Sequence, residues 1–175
     1  KILKKKKNIR LIDATNFIMK DLVRFSSAND SILTQSEDIK KFNIKDFNIV
    51  SKKKPSKSQL KNLIFAFNVC KYVKSNAIVL ASEETTVGIG SGQASRLDSC
   101  QIAIDKMNKF QDLNEEVVAA SDAFFPFVDG IEKLVQSGIT AVIQPSGSIR
   151  DKEIIKFANQ TNTILVFSKT RHFRH

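Results

Sequence analysis

The sequence has only two histidines and two cysteines, and this scarcity excludes whole classes of catalytic site. Both histidines, His172 and His175, lie at the chain end, and Cys70 and Cys100 stand far apart. A zinc deaminase needs a histidine or cysteine, a PCxxC pair and a nearby glutamate. A serine or cysteine triad needs a histidine placed to activate the nucleophile. We therefore expect neither a catalytic metal nor a triad.

Long hydrophobic runs are also missing. No apolar stretch approaches the roughly 18 residues that a membrane helix requires, and the sequence has no signal-peptide pattern. The cysteines fit a reducing compartment as thiols within helical patterns, and a disulfide is disfavoured. We therefore predict a cytoplasmic protein with no membrane partner.

The chain has 175 residues, 42% of them hydrophobic, which suffices for one substantial core. It begins at Lys1 inside a basic run, and we expect it to be a fragment of a longer protein. The net charge of +10 and the runs Lys4 to Lys7 and Lys52 to Lys54 suit phosphate contacts. The other lysines form no stripe with aromatic residues, so we expect no nucleic-acid partner. A positive field would still assist capture of a phosphate or a polyanion.

Hydrophobic periodicity alternates between strand and helix patterns, which predicts an α/β fold. A helix follows Pro55, with Ser58 as its expected cap, and runs to about Lys74. A second helix begins near Gln93. The predicted strands cover residues 8–13, 31–35, 47–51, 77–81, 85–89, 117–120, 140–144 and 163–167, with the fourth and fifth forming a hairpin. Further helices are predicted over residues 129–137 and 150–160, and a loop over 111–116.

Three alternating glycines, Gly88, Gly90 and Gly92, precede the second helix. Backbone N–H groups in such a segment can face an anionic or carbonyl ligand. The pattern lacks the later glycine and the acidic residue of a dinucleotide fingerprint, so a Rossmann site is not indicated.

The segment SDAFFPF, residues 121–127, places three aromatic rings around one proline, with Asp129 close behind. Pro126 favours an extended residue before it and predicts a strand end that breaks into a turn. The three rings cannot then share one core face, so at least one points toward a cleft. There a ring could stack on a flat heterocycle while Asp129 accepts hydrogen bonds from amines. Three core phenylalanines and a capping aspartate are the alternative.

This segment occurs in order with KYVKSNAI (71–78), VGIGSGQASR (87–96) and QPSGSIR (144–150), before a chain end of RHFRH. The ordered set resembles the C-terminal part of the formyltransferase domain in the family of bifunctional purine-biosynthesis enzymes. The resemblance covers about Leu33 to His175. It implies a cytidine-deaminase-like layered fold without zinc, in which a mixed sheet is flanked by helices.

The resemblance also implies a domain organisation and an activity. Residues 1–57 would end the preceding transferase subdomain and form a linker, residues 58–175 would form the C-terminal subdomain, and the cyclohydrolase domain would be absent. The family transfers a formyl group from 10-formyltetrahydrofolate to 5-aminoimidazole-4-carboxamide ribonucleotide, and it also cyclises the product to IMP. Family members form homodimers through the transferase domain. Their catalytic Lys-His pair lies upstream of anything in this chain, so the isolated chain could instead be a binding module without catalytic activity.

Four residues match family positions at the nucleotide: Asn76, Arg96, Phe124 and Arg171. Asn76 is also implied to be catalytic, because its amide can donate toward an oxygen that gains charge in the transition state. Arg171 would pair with the phosphate. Taken alone, Asn76 also fits a residue that bonds its own backbone, and the two arginines fit solvated side chains.

Four further residues match family positions at the folate: Leu97, Asp129, Ser148 and Ile149. A carboxylate at 129 suits the amino and ring N–H edge of a pterin. Ser148 lies in a Gly-Ser turn that offers backbone donors, although it also fits a helix N-cap. By the same analogy a structural monovalent cation would lie near Ser75 and Asp122.

Overall fold

The computed structural model describes residues 5, 8–16, 23–40, 42–110 and 116–175. The chain divides into two compact units, Lys1–Ile39 and Lys40–His175. In the first, β1 (Val23–Ala28) and β2 (Ser31–Ser36) pair as an antiparallel hairpin. Asn29, in the turn between them, has a φ of 52°, a left-handed conformation that asparagine tolerates.

The predicted strand at 31–35 is confirmed as β2, but β1 was not predicted, and the predicted strand over residues 8–13 is wrong. That stretch has no regular structure, and its side chains are exposed. Ile12, for example, is 90% exposed. An alternating apolar pattern forms a strand only when a neighbouring strand and a core accept it.

The second unit is built on a six-stranded mixed sheet with the order β3-β8-β7-β6-β4-β5. Strands β6, β7 and β8 run parallel, while β3, β4 and β5 pair antiparallel with their neighbours. The strands are β3 (Phe47–Ile49), β4 (Ile78–Ser82), β5 (Thr85–Gly90), β6 (Val118–Ser121), β7 (Ala141–Pro145) and β8 (Ile164–Ser168). The helices are α1 (Lys57–Cys70), α2 (Arg96–Phe110), α3 (Val128–Gln136) and α4 (Asp151–Gln160).

Alternating side chains of the central strands supply two separate cores. Ile78 and Leu80 of β4 pack on the face covered by α2, α3 and α4. Val79 and Ala81 of the same strand pack on the opposite face, against α1. Because both faces are covered, the central strands read as continuous apolar runs. The predicted α/β fold with a mixed sheet flanked by helices is confirmed.

Most predicted elements of this unit are confirmed with boundary shifts of one or two residues, including the β4–β5 hairpin. Larger differences concern helix starts and ends, and one of them is α2, which begins at Arg96 rather than near Gln93. Ser56, not Ser58, caps α1, since its Oγ accepts the Gln59 N–H at 3.1 Å while Gln59 Oε1 accepts the Ser56 N–H at 2.7 Å. The helix then ends at Cys70, four residues before the predicted end.

The predicted loop at 111–116 lies outside the described residues except for Glu116. The cytidine-deaminase-like topology and the subdomain boundary after residue 57 stay predictions.

The glycines of the GxGxG stretch serve packing rather than ligand binding, which corrects our expectation. A Cβ on Gly88 would lie 2.2 Å from the Ala103 carbonyl oxygen, and one on Gly90 would lie 1.9 Å from that of Ser99. Helix α2 therefore lies directly against the backbone of β5. The Gly92 N–H donates to the Lys74 carbonyl at 2.8 Å.

An aromatic cluster holds the chain end on the α1 side of the sheet. The His172 ring is buried, with its centroid 4.5 Å from that of Phe67 and 5.2 Å from that of Phe42. Phe47 of β3 stacks on Phe42 at 5.7 Å. The segment after β8 is thus anchored beside the sheet.

We expect Gly90→Ala to destabilise the fold by about 1–3 kcal/mol, because the added methyl forces α2 away from β5. Chemical denaturation monitored by circular dichroism measures the difference. Thr85→Ala, at an exposed position of the same strand, is the control and should change stability by no more than about 0.5 kcal/mol. Equal stability of the Gly90 variant and the parent would contradict the close packing of α2.

Candidate functional site

A cleft of about 480 Å³ opens at the end of the six-stranded sheet where strands β6 and β8 finish. This volume lies within the range typical of small-molecule sites. Its lining comes from the segment before β4, the start of α2, the loop after β6, the start of α3 and the chain end. The lining residues are Asn76, Ala94, Ser95, Arg96, Leu97, Ala123, Phe124, Phe125, Pro126, Phe127, Asp129, Gly130, Arg171 and Phe173.

The fold explains this position. Strands β6 and β8 are both parallel members of the sheet, and the loops that follow their carboxyl ends contribute to the cleft. Ligands of open α/β sheets bind outside the carboxyl ends of such strands. Helices α2 and α3 begin at the same cleft, and helix N-termini favour anionic groups. The arrangement suits a ligand that carries negative charge.

Six of the eight predicted site residues line this one cleft: Asn76, Arg96, Leu97, Phe124, Asp129 and Arg171. They come from five separate segments of the sequence, and the fold brings them together. Ser148 and Ile149 do not line it.

Arg96 lies in the first turn of α2, and hydrogen bonds and an ion pair fix its guanidinium group. Its Nη1 donates to Ser121 Oγ at 3.0 Å and ion-pairs with the carboxylate of Asp122. Its Nη2 donates to Asn76 Oδ1 at 2.8 Å. The Arg96 side chain is only 9% exposed. The arginine is therefore not a freely solvated side chain but a fixed group in the cleft wall.

The Asn76 amide is bonded at both of its ends. Nδ2 donates to the carbonyls of Gln93 at 3.0 Å and Ala94 at 3.1 Å, while Oδ1 accepts from Arg96. These bonds join the start of β4 to the loop before α2. To donate toward a ligand, the amide must give up one of the two carbonyls.

The three phenylalanine side chains do not share one core face, as the sequence predicts, and all three residues contribute to the cleft lining. Phe125 is buried, and its ring would lie 2.6 Å from a Cβ on Gly130. Phe124 is half-buried and Phe127 is 52% exposed. The close contact between Phe125 and Gly130 seats the start of α3 beside the cleft, with Asp129 in its first turn.

Arg171 and Phe173 reach the cleft from the segment after β8. The Arg171 guanidinium carbon lies 5.2 Å from the centroid of the Phe173 ring, and both side chains are exposed. Between them, His172 is buried and its N–H donates to the Asp122 carbonyl at 2.8 Å. The buried residue fixes the two exposed ones at the cleft.

The turn that contains Ser148 and Ile149 lies outside the cleft lining, and the backbone N–H groups of Gly147, Ser148 and Arg150 already have partners. The N–H groups of Gly147 and Ser148 donate to the Asp151 carboxylate at 2.8 and 3.3 Å. Ser148 Oγ accepts the Arg150 N–H at 3.1 Å, so it stabilises the turn before α4. Helix α4 has Arg150 as its N-cap, so Ser148 is not the cap.

Arg150 connects the same turn to the cleft. Its guanidinium carbon lies 4.8 Å from the centroid of the Phe127 ring, at cation–π distance.

Sequence reasoning missed the central position of Asp122, which it considered only as a cation neighbour. The available signal was a Ser-Asp pair, Ser121 and Asp122, directly after the apolar run at residues 117–120. Ser75 Oγ donates to Asp122 Oδ2, so these two residues bond each other. Within residues 5, 8–16, 23–40, 42–110 and 116–175, no group of three or more histidine, cysteine or acidic side chains could hold a metal ion. The monovalent cation stays a prediction.

Both cysteines are free and buried, Cys100 in the core under α2 and Cys70 in the core under α1. Burial raises the pKa of Cys100 to about 12, and burial together with Asp122 raises the pKa of Cys70 well above its usual value. A thiol is a nucleophile only as the thiolate. Neither cysteine therefore serves as a nucleophile at neutral pH. Among the described residues, no helix is long and apolar enough to cross a membrane.

Comparisons with known proteins agree with the matched motifs. A family model described as "AICARFT/IMPCHase bienzyme" matches residues 1–106. The chain is 44% identical over 177 residues to the bifunctional purine biosynthesis protein PurH of Buchnera aphidicola subsp. Schizaphis graminum, covering 100% of this chain and 34% of that protein. It is 45% identical over 177 residues to PurH of Ligilactobacillus salivarius, covering 99% and 34%. The chain thus spans about a third of the length of the curated relatives it matches.

We expect native Cys70 and Cys100 to resist a water-soluble disulfide reagent at pH 8 and to react fully after denaturation, because both thiols are buried and protonated. Ala94→Cys is the matched control, since residue 94 is exposed in the cleft and should react rapidly. Absorbance of the released aromatic thiolate measures the rates. Rapid reaction of the parent chain would contradict the burial.

The same thiols predict the direction of alkaline destabilisation. Their folded-state pKa values lie above the ordinary value of 9.0, so their contribution to stability is complete below pH 9. That contribution decreases as the pH rises from about 9 toward 12, because the unfolded state releases the protons first. Denaturation midpoints of the parent and of Cys100→Ala, measured between pH 8 and 11, should converge as the pH rises.

Proposed function

The chain belongs to the family of AICARFT/IMPCHase bienzymes, and from this premise we propose that it carries a nucleotide- and folate-binding part of the formyltransferase. The reaction transfers a formyl group from 10-formyltetrahydrofolate to the 5-amino group of 5-aminoimidazole-4-carboxamide ribonucleotide. The observation that carries the proposal is the convergence of six family-matched residues on one cleft.

The nucleotide end of the cleft has the chemistry that the ligand needs. Phe124 offers a half-buried ring on which a flat imidazole can stack. Arg171 is exposed and can pair with the phosphate through two parallel hydrogen bonds. The N-terminus of α2 adds favourable potential for the anion.

The folate end would use Asp129 and Leu97. Asp129 is exposed in the first turn of α3, and its carboxylate can accept hydrogen bonds from the amino and ring N–H groups of a pterin. Leu97 is half-buried beside Arg96 and offers apolar contact. For Ser148 and Ile149 to contribute, the turn after β7 must approach the cleft, and Arg150 already contacts Phe127 at its rim.

The chemistry requires orientation of a weak nucleophile. The 5-amino lone pair is delocalised into the imidazole and carboxamide, so the site must align it with the formyl carbon and stabilise the developing oxyanion. Arg96 and Asn76 are polar groups of the cleft lining that bond each other. We assign Asn76 to that oxygen, with one of its bonds to Gln93 or Ala94 broken on binding.

In the proposed assembly, a Lys-His pair from outside these motifs moves the proton, and two copies of the parent protein form a dimer through the transferase domain. Cyclisation of the product to IMP belongs to a domain that the matched motifs do not include. The alternative, a module that only binds, is not favoured by any feature of the cleft.

We expect Arg171→Ala to weaken binding of 5-aminoimidazole-4-carboxamide ribonucleotide by about tenfold or more, because a charge-assisted bond to the phosphate is lost. Isothermal titration calorimetry on the full chain measures the affinity. Arg174→Ala is the charge-matched control, since Arg174 lies outside the cleft lining and bonds Ser75 through its backbone. Equal losses of affinity in both variants would mean that only the net charge of the chain matters. An unchanged affinity in Arg171→Ala would contradict the proposal.

A further inference from the structure

The carboxylate of Asp122 lies directly behind the cleft and has no solvent exposure. It does not line the cleft, so it cannot contact a ligand there. A buried carboxylate is costly unless its oxygens are paired and hydrogen-bonded. Both oxygens are engaged, Oδ1 with Arg96 and Oδ2 with the Ser75 hydroxyl. The Asp122 carboxylate is therefore fully paired by groups that surround the cleft.

Each bond of Asp122 fixes a different part of the cleft wall. Through Oδ1 it fixes one nitrogen of the Arg96 guanidinium, whose other nitrogen then meets Asn76 Oδ1 at 2.8 Å. The plane of the guanidinium is thereby set between two partners. Further N–H donors of the same group remain for a ligand, because these bonds do not use all five.

The remaining bonds of Asp122 fix the chain end. Its backbone carbonyl accepts the His172 N–H at 2.8 Å. Ser75, which bonds Oδ2, pairs through its own backbone N–H with the Arg174 carbonyl at 2.9 Å, and its hydroxyl accepts the Arg174 N–H at 3.3 Å. Phe173 lies between these two attachments, and Arg171 immediately precedes the first. One residue therefore holds both arginines of the cleft.

We propose that Asp122 is the positioning residue of the nucleotide site, acting through Arg96 and through the segment that carries Arg171. This assignment rests on the proposed function for its ligand but not for its geometry. Its negative charge is essential, because it aligns and neutralises an arginine that is itself only 9% exposed. Without it, the guanidinium would lose its orientation or turn toward solvent.

The test compares Asp122→Asn with the parent in the full chain through two measurements. The first, made without nucleotide, is hydrogen exchange of the Arg96 side-chain N–H groups by ¹⁵N NMR. We expect exchange to accelerate by about tenfold or more, since an amide replaces a charged acceptor. The second is calorimetric affinity for 5-aminoimidazole-4-carboxamide ribonucleotide, which should fall by about tenfold or more.

Val79→Ala is the matched control for stability. Val79 is buried on the α1 face of β4 and does not line the cleft, so its truncation destabilises the fold without removing a group bonded to the Asp122 carboxylate. It should leave Arg96 exchange and nucleotide affinity unchanged. If it alters both as much as Asp122→Asn does, the role of Asp122 is general stability and the proposal is overturned.

If Asp122→Asn does not fold, both measurements are made on Ser75→Ala instead. That substitution removes one hydrogen bond to the carboxylate and leaves its charge. There we expect a smaller change, about threefold, in the same direction. Unchanged Arg96 exchange in the folded variant overturns the proposal. If the parent chain binds no nucleotide, the proposed function fails, and the exchange measurement still decides the role of Asp122.

Discussion

The ion pair between Asp122 and Arg96 is the interaction on which the architecture of the cleft depends. Removing a carboxylate from water costs several kcal/mol, and this cost is offset only when a charged partner and hydrogen bonds surround it. Here the partner is Arg96, and the Ser75 hydroxyl donates to the second carboxylate oxygen, while the backbone N–H of His172 donates to the Asp122 backbone carbonyl. Because Asp122, Arg96 and Ser75 belong to three separate segments, satisfying one carboxylate brings these segments together, and the backbone bond of Asp122 adds the segment of His172. The polar wall of the cleft follows from that requirement.

The sheet provides the rigid frame for this network. Apolar side chains alternate between two cores on β4, so the strand is fixed on both faces, and Asn76 lies two residues before its start. The glycines at 88 and 90 allow α2 to lie directly on β5, and this close packing determines the distance of Arg96 from the sheet. Phe125 and Gly130 do the same for α3 and Asp129. Close packing thus determines where the functional side chains stand.

The sequence predicted the layers well because strands buried on both faces and amphipathic helices leave strong periodic patterns. It failed for residues 8–13, whose apolar residues have no sheet to join, and for Ser58, because two serines near Pro55 offer equal caps by composition. It identified six cleft residues through matched motifs, yet periodicity alone could not bring them together, since they lie up to 95 positions apart, from Asn76 to Arg171. The coupling of Asp122 to the chain end depends on tertiary contacts that no local pattern encodes.

The most direct test of the central claim, that these segments form one nucleotide site, is an NMR titration of the ¹⁵N-labelled chain with 5-aminoimidazole-4-carboxamide ribonucleotide. The account predicts saturable shifts of the backbone signals of Asn76, Arg96, Phe124 and Arg171 with one common dissociation constant. The signals of Lys57, the first residue of α1, and of Glu84, in the β4–β5 turn, should not move, because neither residue lines the cleft. Shifts that map elsewhere, or that fit different constants for these four residues, would contradict a single site.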